Sequence, residues 1–277
     1  MPAIPMRPPA LVQPRPGGLV EKLGRAGYAA LGVVYLLIGI VAAKAAIDGG
    51  GHVPSQRGAV REISAQPVGQ VLLVLIGIGL MGYALWRLLA AVFDIEHAGR
   101  GAKGVGKRVG YAATAIVNGA AGWTALQMAT GIGYHGSSGV QSWAAQIMAE
   151  PFGALVIGLV GVGLIVAGAA EIRQAFNRSF VRELELSRLD PDERTWIVRM
   201  GRLGLAARGV VFPIIGIALV KAALNHDPGR AKGIGEALRD LGTTSFGMGV
   251  LLVVAVGLAS FGAYCVILSR YRRMPAA

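Results

Sequence analysis

The chain has 277 residues, of which 54% are hydrophobic and 15% are charged, whereas a soluble domain carries about 25% charged residues. Together with apolar runs of about 20 residues, this composition excludes an ordinary soluble domain and indicates an all-α polytopic membrane protein. The single cysteine, Cys265, excludes an internal disulfide and a cysteine-rich metal site. The net charge of +12 comes mainly from residues that flank apolar spans, which predicts contact with anionic lipid head groups and no nucleic-acid binding.

Hydropathy predicts a tail followed by six transmembrane helices. Residues 1–19 contain six of the 13 prolines and predict a disordered cytoplasmic tail. The apolar runs that follow are each long enough to span a bilayer. The predicted spans are residues 27–47, 68–93, 109–129, 152–172, 203–224 and 246–268.

A repeat groups these spans into three two-helix units. Similar sequences follow Arg25, Arg108 and Arg202 at the start of the first helix. In the second helix of each unit, one glycine lies ten residues past the glycine near the start of that helix. These later glycines are Gly79, Gly163 and Gly257. Because each unit has two spans, we predict three tandem parallel helical hairpins in a rough pseudo-threefold arrangement. The predicted segments are unit 1 (20–98), unit 2 (99–178), a cytoplasmic linker helix (179–200) and unit 3 (201–277).

The connecting segments predict orientation and further short helices. Lys and Arg concentrate on the side that carries both chain ends, which predicts that both termini are cytoplasmic. On the opposite side, apolar residues at helical spacing in 60–63, 140–148 and 234–241 predict amphipathic helices at the interface. In the linker, Asp190, Pro191 and Glu193 form a capping-box pattern that predicts a helix start.

The first and third units resemble a known family. The carrying sequences are Arg25-Ala-Gly-Tyr-Ala-Ala-Leu-Gly-Val-Val-Tyr, Gly82-Tyr-Ala-Leu-Trp-Arg87, and Gly201 to Phe212 with Gly257 to Tyr264 in unit 3. They are similar to the bacterial membrane proteins catalogued as domain of unknown function 1206, and the similarity extends over nearly everything after Leu23. The middle unit diverges most, with Ala115 where Gly32 and Gly209 stand. The resemblance implies three two-helix repeats in a bacterial inner membrane, and it implies no activity.

Few polar residues fall inside the spans. Arg87, Glu171 and Arg208 lie toward the cytoplasmic ends, where they anchor the helices, form local ion pairs or line an inner vestibule. Asn118 lies near mid-membrane and forms an interhelical hydrogen bond or lines a central site. Its repeat equivalents are Tyr35 and Phe212, so these three residues form the predicted waist of any central path. Pro213 predicts a kink in the fifth span.

Each outer loop carries one histidine. His52, His135 and His226 lie 27, 27 and 24 residues past their repeat arginines. If the loops converge around one axis, the imidazoles could hold zinc or copper. They could instead join Lys44 and Lys221 in an outer anion or lipid-head-group site. The third interpretation is that each histidine is a solvated turn residue whose side chain points its own way.

The sequence contains no paired-carboxylate, Cys/His or nucleophile pattern, and we expect no enzyme and no cofactor. The favoured function is a non-enzymatic structural or accessory subunit that packs with a membrane partner or with its own copies. Glycines in two of the second helices motivate this interpretation, because they leave flat helix faces that suit close packing. They are Gly77, Gly79 and Gly82, and Gly158, Gly161, Gly163 and Gly168. The alternative is a small-solute channel or transporter with a path between the three hairpins.

Overall fold

The computed structural model describes residues 18–48, 67–94, 99, 101–131, 140–177, 180–181, 190–242 and 247–271. Regular structure within these ranges is helical. We number the α-helices in chain order. They are α1 (Leu19–Ile47), α2 (Pro67–Phe93), α3 (Ala102–Thr130), α4 (Val140–Met148), α5 (Gly153–Asn177), α6 (Pro191–Leu224), α7 (Ile234–Gly242) and α8 (Gly247–Tyr271).

Five of these helices, α1, α2, α5, α6 and α8, are long and apolar enough to cross a membrane. This confirms the prediction of an all-helical chain with several helices of the length and apolar composition of membrane spans. The predicted third span lies in α3, which has 29 residues but does not meet the same measure of hydropathy. Its apolar character is diluted by Thr114, Asn118, Thr124 and Gln127 and by many small residues.

The long helices pack in a row, in the order α3, α2, α1, α8, α6, α5. The most extensive interfaces join the first helix of one unit to the second helix of another: α3 to α2, α6 to α5, and α1 to α8. Interfaces within a unit join α1 to α2 and α6 to α8. The short helix α4 packs on α5, and α7 packs on α8.

Glycines allow the close approach between units. A Cβ at Gly122 of α3 would lie 2.9 Å from the carbonyl oxygen of Gly77 in α2. At the equivalent Gly216 of α6, a Cβ would lie 2.5 Å from the Gly161 oxygen. At Gly39 of α1 the corresponding distance is 2.7 Å, to the Ala255 oxygen. The three interfaces therefore use the same repeat positions, and a side chain at any of them would meet backbone.

The linker helix is not a separate element. It begins at Pro191 as predicted, with the backbone N–H of Asp190 donating to Glu193 Oε2 at 3.4 Å. It then continues without interruption through the predicted fifth span to Leu224. Hydropathy predicted only the apolar part of this helix. The polar residues before it are helical as well, because a helix can extend beyond the bilayer. Pro213 lies inside this helix and its ring packs on Gly168, where a Cβ would be 2.5 Å from Pro213 Cδ.

Two of the three short helices predicted between the spans of a unit are present, as α4 and α7. The first, around residues 60–63, lies outside the described residues, as does the predicted N-terminal tail apart from Gly18 and Leu19.

Candidate functional site: a caged arginine and the open seam of unit 2

The most polar feature inside the bundle is an ion pair between two apolar helices. Arg208 of α6 extends to Glu171 of α5, with Nη2 2.7 Å from Oε1. Their side chains are 17% and 14% exposed, so both charges are largely removed from solvent. Such a pair holds together because each partner would otherwise be an isolated charge in an apolar environment.

Aromatic rings from its own helix and from two others enclose the arginine. Its Cζ lies 4.3 Å from the ring centroid of Phe261, 4.5 Å from that of Phe212 and 5.4 Å from that of Tyr35. Tyr35 and Phe261 also meet edge to face, with centroids 4.9 Å apart. The negative faces of these rings stabilise the cation where water is scarce. This cage, which we define as Arg208, Glu171, Tyr35, Phe212 and Phe261, joins α1, α5, α6 and α8.

Two atoms of the cage remain unpaired within the described part of the chain. They are Nε of Arg208 and Oε2 of Glu171, both buried. Besides aromatic rings, the cage contains the Tyr35 hydroxyl, and the buried thiol of Cys265 lies near enough to interact electrostatically with Arg208. Among the described residues there is also no group of three or more His, Cys, Asp or Glu side chains that could hold a metal ion.

A second arginine is held in a similar way in unit 1. Arg87 of α2 donates to the hydroxyl oxygens of Tyr28 at 2.9 Å and Tyr83 at 3.1 Å. Its Cζ also lies 4.4 Å from the Trp86 ring centroid and 5.0 Å from that of Tyr111. Arg87 stands at the repeat position that Glu171 occupies in unit 2, 18 residues past the glycine that opens each second helix. The same position thus carries a cation in unit 1, the anion that pairs with Arg208 in unit 2, and Cys265 in unit 3.

Each repeat arginine (Arg25, Arg108 and Arg202) caps the C-terminal end of the second helix of another unit. Arg108 of unit 2 donates to the carbonyl oxygens of Ala91 at 2.6 Å and Val92 at 2.8 Å, at the end of α2 in unit 1. Arg202 of unit 3 donates to Ala175 O of unit 2 at 3.2 Å. Arg25 of unit 1 donates to Ser269 O of unit 3 at 2.9 Å. Each arginine therefore satisfies orphan carbonyls and the negative end of a helix dipole in another unit. We call this end of the bundle the basic end.

We predict that Arg108→Gln lowers stability by about 1 kcal/mol, because two charge-assisted bonds to helix-end carbonyls are lost. For a chain of this size that corresponds to a fall of about 2–4 °C in Tm. The measurement is thermal unfolding in detergent followed by tryptophan fluorescence. The matched control is Lys107→Gln, which removes the same charge from an exposed neighbouring side chain. Equal Tm values for the two variants would contradict the capping role.

The structure separates the three residues of the predicted waist. Tyr35 and Phe212 both contact the guanidinium of Arg208. Asn118 belongs to α3, which packs on α2, and its Nδ2 donates to Thr114 O of the same helix at 2.8 Å. This hydrogen bond lies within α3 and does not join two helices.

The predicted outer cluster is described only in part. His52 and His135 lie outside the described residues. His226 is exposed and has a left-handed backbone, with φ of 50°. Lys44 and Lys221 are exposed in the last turns of α1 and α6, where a cation complements the helix dipole.

The glycines predicted to leave open faces mostly pack inside the chain. Gly77, Gly161 and Gly168 would each place a Cβ within about 3 Å of a neighbouring helix, and Gly79 would meet the Cβ of Ala30. Gly163 of α5 is different, because a Cβ there would meet nothing within 4 Å.

In unit 2, the described parts of α3 and α5 stand at the two ends of the row and do not pack into a hairpin. We call the faces of α3 and α5 that carry Gly110 and Gly163 the seam of unit 2. Within the described residues these helices form no interface comparable to those of α1 with α2 or of α6 with α8. Gly110 of α3 is likewise open, with nothing within 4 Å of an added Cβ. Its equivalents pack tightly: a Cβ would be 2.5 Å from Tyr83 Cβ at Gly27 and 2.6 Å from Phe261 Cβ at Gly204. The sequence repeat predicted a packed hairpin here, and the structure leaves it open.

The comparisons with known proteins agree with the repeat. The chain is 34% identical over 255 residues to the uncharacterized protein YxxB of Bacillus subtilis (strain 168), and the match covers 92% of each chain. No solved structure matches it. The family described as Domain of Unknown Function (DUF1206) matches residues 26–94, 109–178 and 203–272, and these segments correspond to the three units. The resemblance found in the sequence is therefore confirmed, and the chain belongs to the DUF1206 family.

Proposed function

We propose that this chain is a non-enzymatic integral membrane protein, a structural or accessory subunit that packs with a membrane partner or with its own copies. One observation carries the proposal: the three repeat arginines and the two arginines inside the bundle are engaged in structural contacts. The repeat arginines bind helix-end carbonyls. Arg87 is held by aromatic side chains, and Arg208 is held by aromatic side chains and by Glu171. A catalytic site instead keeps charged groups positioned for a substrate.

We further propose that α3 is the sixth span and that both termini are cytoplasmic, in a bacterial inner membrane. At about 1.5 Å per residue, the 29 residues of α3 exceed the hydrocarbon thickness of a bilayer. The shared glycine contacts and arginine caps support units related by a rough threefold rotation, interrupted at the seam. Lys and Arg at the basic end support its cytoplasmic location.

Reporter fusions test this topology. Fusions after Gly50, His135 and Pro228 are expected to report the outside of the membrane, and fusions after Gly101 and Ser187 the cytoplasm. If α3 does not cross, the fusions after Gly101 and His135 report the same side. The reverse pattern at every position would contradict the proposed orientation.

Native mass spectrometry after mild-detergent purification tests the subunit role. We expect a homo-oligomer or a stoichiometric membrane protein partner. The proposal fails if only the monomer is recovered and in-membrane cross-linking before extraction also captures no second chain.

The alternative is a small-solute channel or transporter. It is favoured by the two unpaired buried atoms of the cage, Arg208 Nε and Glu171 Oε2, because unsatisfied polar atoms mark places where a polar solute gains hydrogen bonds. The aromatic rings that enclose Arg208 argue against an open path. Solute efflux from proteoliposomes that is lost in both Arg208→Gln and Glu171→Gln would favour the alternative.

A further inference from the structure

The seam of unit 2 is built differently from the equivalent interfaces of units 1 and 3. In those units, aromatic side chains of the second helix fill the space beside the first helix. They are Tyr83 and Trp86 in α2, and Phe261 and Tyr264 in α8, all buried. At the same repeat positions, α5 carries Ala167 and Ala170. Unit 2 has thus lost the two large side chains that pack the corresponding hairpins, and Ala170 is exposed.

Toward the basic end, the same face of α5 becomes polar. Arg173, Gln174 and Asn177 stand where unit 1 has Leu89, Ala90 and Phe93, and where unit 3 has Ile267, Leu268 and Tyr271. Arg173 is exposed and makes no ion pair or hydrogen bond within the described residues. Both changes fall on one face of one helix, so the second helix of unit 2 presents an apolar groove that ends in hydrogen-bond donors and a cation.

A cavity of about 450 Å³ lies along this face. Its lining runs from apolar to polar in the direction of the basic end: Val166, Ala169 and Ala170, then Arg173, Gln174 and Asn177. The described residues that line it all belong to α5. On α3, Gly110 is open and Lys107, one turn nearer the basic end, is exposed. An occupant must therefore be apolar at one end and anionic at the other, with the anionic end at the membrane surface.

We propose that the seam binds one anionic phospholipid. An acyl chain lies along Ala170 and Gly163, in the space that aromatic side chains fill in units 1 and 3. The phosphate accepts from Arg173 and from the side-chain amides of Gln174 and Asn177. Charge complementarity selects an anionic over a zwitterionic head group. A partner helix would fit less well, because it would cover Arg173 and Asn177 without supplying an anion. This proposal is independent of whether the protein has a protein partner.

Lipid retention by the purified, full-length protein tests the site. Native mass spectrometry after delipidation and titration with phosphatidylglycerol is expected to show one tightly held lipid, and phosphatidylcholine is expected to bind about tenfold more weakly. Arg173→Gln should weaken phosphatidylglycerol binding about tenfold. The matched control is Arg194→Gln, which removes an exposed cation at the start of α6, outside the seam, and should leave binding unchanged.

A second variant tests the groove rather than the charge. Ala170→Trp restores the residue that unit 1 has at this position and should abolish retention while Tm is kept or raised. If this variant fails to fold, Ala170→Phe serves the same purpose. Equal retention of the two lipids, or equal binding by wild type and Arg173→Gln, would overturn the proposal. It would also be overturned if glycerol phosphate displaced the lipid at equal concentration, because the site would then recognise a free phosphate.

Discussion

Replacing Arg208 by methionine is expected to destabilise the protein by about 3–5 kcal/mol, because it leaves a buried carboxylate without its partner. Glu171 is 14% exposed, and its Oε2 accepts no hydrogen bond from any residue that the structure describes. Removing the guanidinium also removes the cation that three aromatic rings surround. The measurement is thermal unfolding of the detergent-solubilised protein, with folded yield by size exclusion as a second readout.

The double variant Glu171→Leu/Arg208→Met distinguishes the contribution of the ion pair from the contribution of the side chains that surround it. Two apolar side chains of similar volume should restore most of the stability, since a buried ion pair is often no more stabilising than well-packed hydrophobic residues. Arg199→Met, an exposed cation earlier in the same helix, is the control and should change Tm little. A double variant as unstable as Arg208→Met would show that the cage contributes more than charge balance.

Adding one methyl group at the glycines that pack the hairpins should have the second large effect. In Gly257→Ala, the new Cβ would lie 2.5 Å from Ala207 Cβ and 3.1 Å from Leu203 O. In Gly79→Ala, it would meet Ala30 Cβ. Both variants force two helices apart, and we expect a loss of about 1–3 kcal/mol.

The repeat supplies a matched control, since Gly163 is the equivalent residue of unit 2. A Cβ there meets nothing within 4 Å, and alanine is the better helix former by up to about 1 kcal/mol. Gly163→Ala should therefore keep or raise Tm in the same unfolding assay. Loss of stability in Gly163→Ala equal to that in Gly257→Ala would show that the seam is packed.

The second helices were well predicted from the sequence, because their apolar part and their helical part nearly coincide. Predicted spans 68–93, 152–172 and 246–268 correspond to α2, α5 and α8. The first helices were predicted too short at their starts. In α6, for example, helical structure begins at Pro191 and not near residue 203, because capping and tertiary contacts extend helices through polar sequence that hydropathy does not count.

The site was less predictable. Arg208 and Glu171 were recognised as charges near span ends, but their pairing depends on which helices are neighbours, and the repeat alone does not specify that. Tyr35 and Phe212 meet at Arg208 because α1 and α6 both pack on α8, whereas Asn118 lies in α3, which packs on α2. The alanines at 167 and 170 did contain the information about the seam. These alanines indicate an open hairpin only once the structure shows that the equivalent aromatic residues of units 1 and 3 fill an interface.

Disulfide cross-linking in native membranes tests the central claim, that α3 packs on α2 of unit 1 and α5 packs on α6 of unit 3 while α3 and α5 leave their own hairpin in unit 2 open. Cysteine pairs at Ala84/Gly119 and Gly158/Ala223 should cross-link in a Cys265→Ala background, because their Cβ separations are 3.5 and 3.4 Å, near the value a disulfide needs. The pair Ala113/Gly163 spans the seam at the position where α1 meets α2 through Ala30 and Gly79. The account predicts little cross-linking of this third pair under the oxidant that joins the other two. Cross-linking of Ala113/Gly163 as rapid as that of the two control pairs would contradict it.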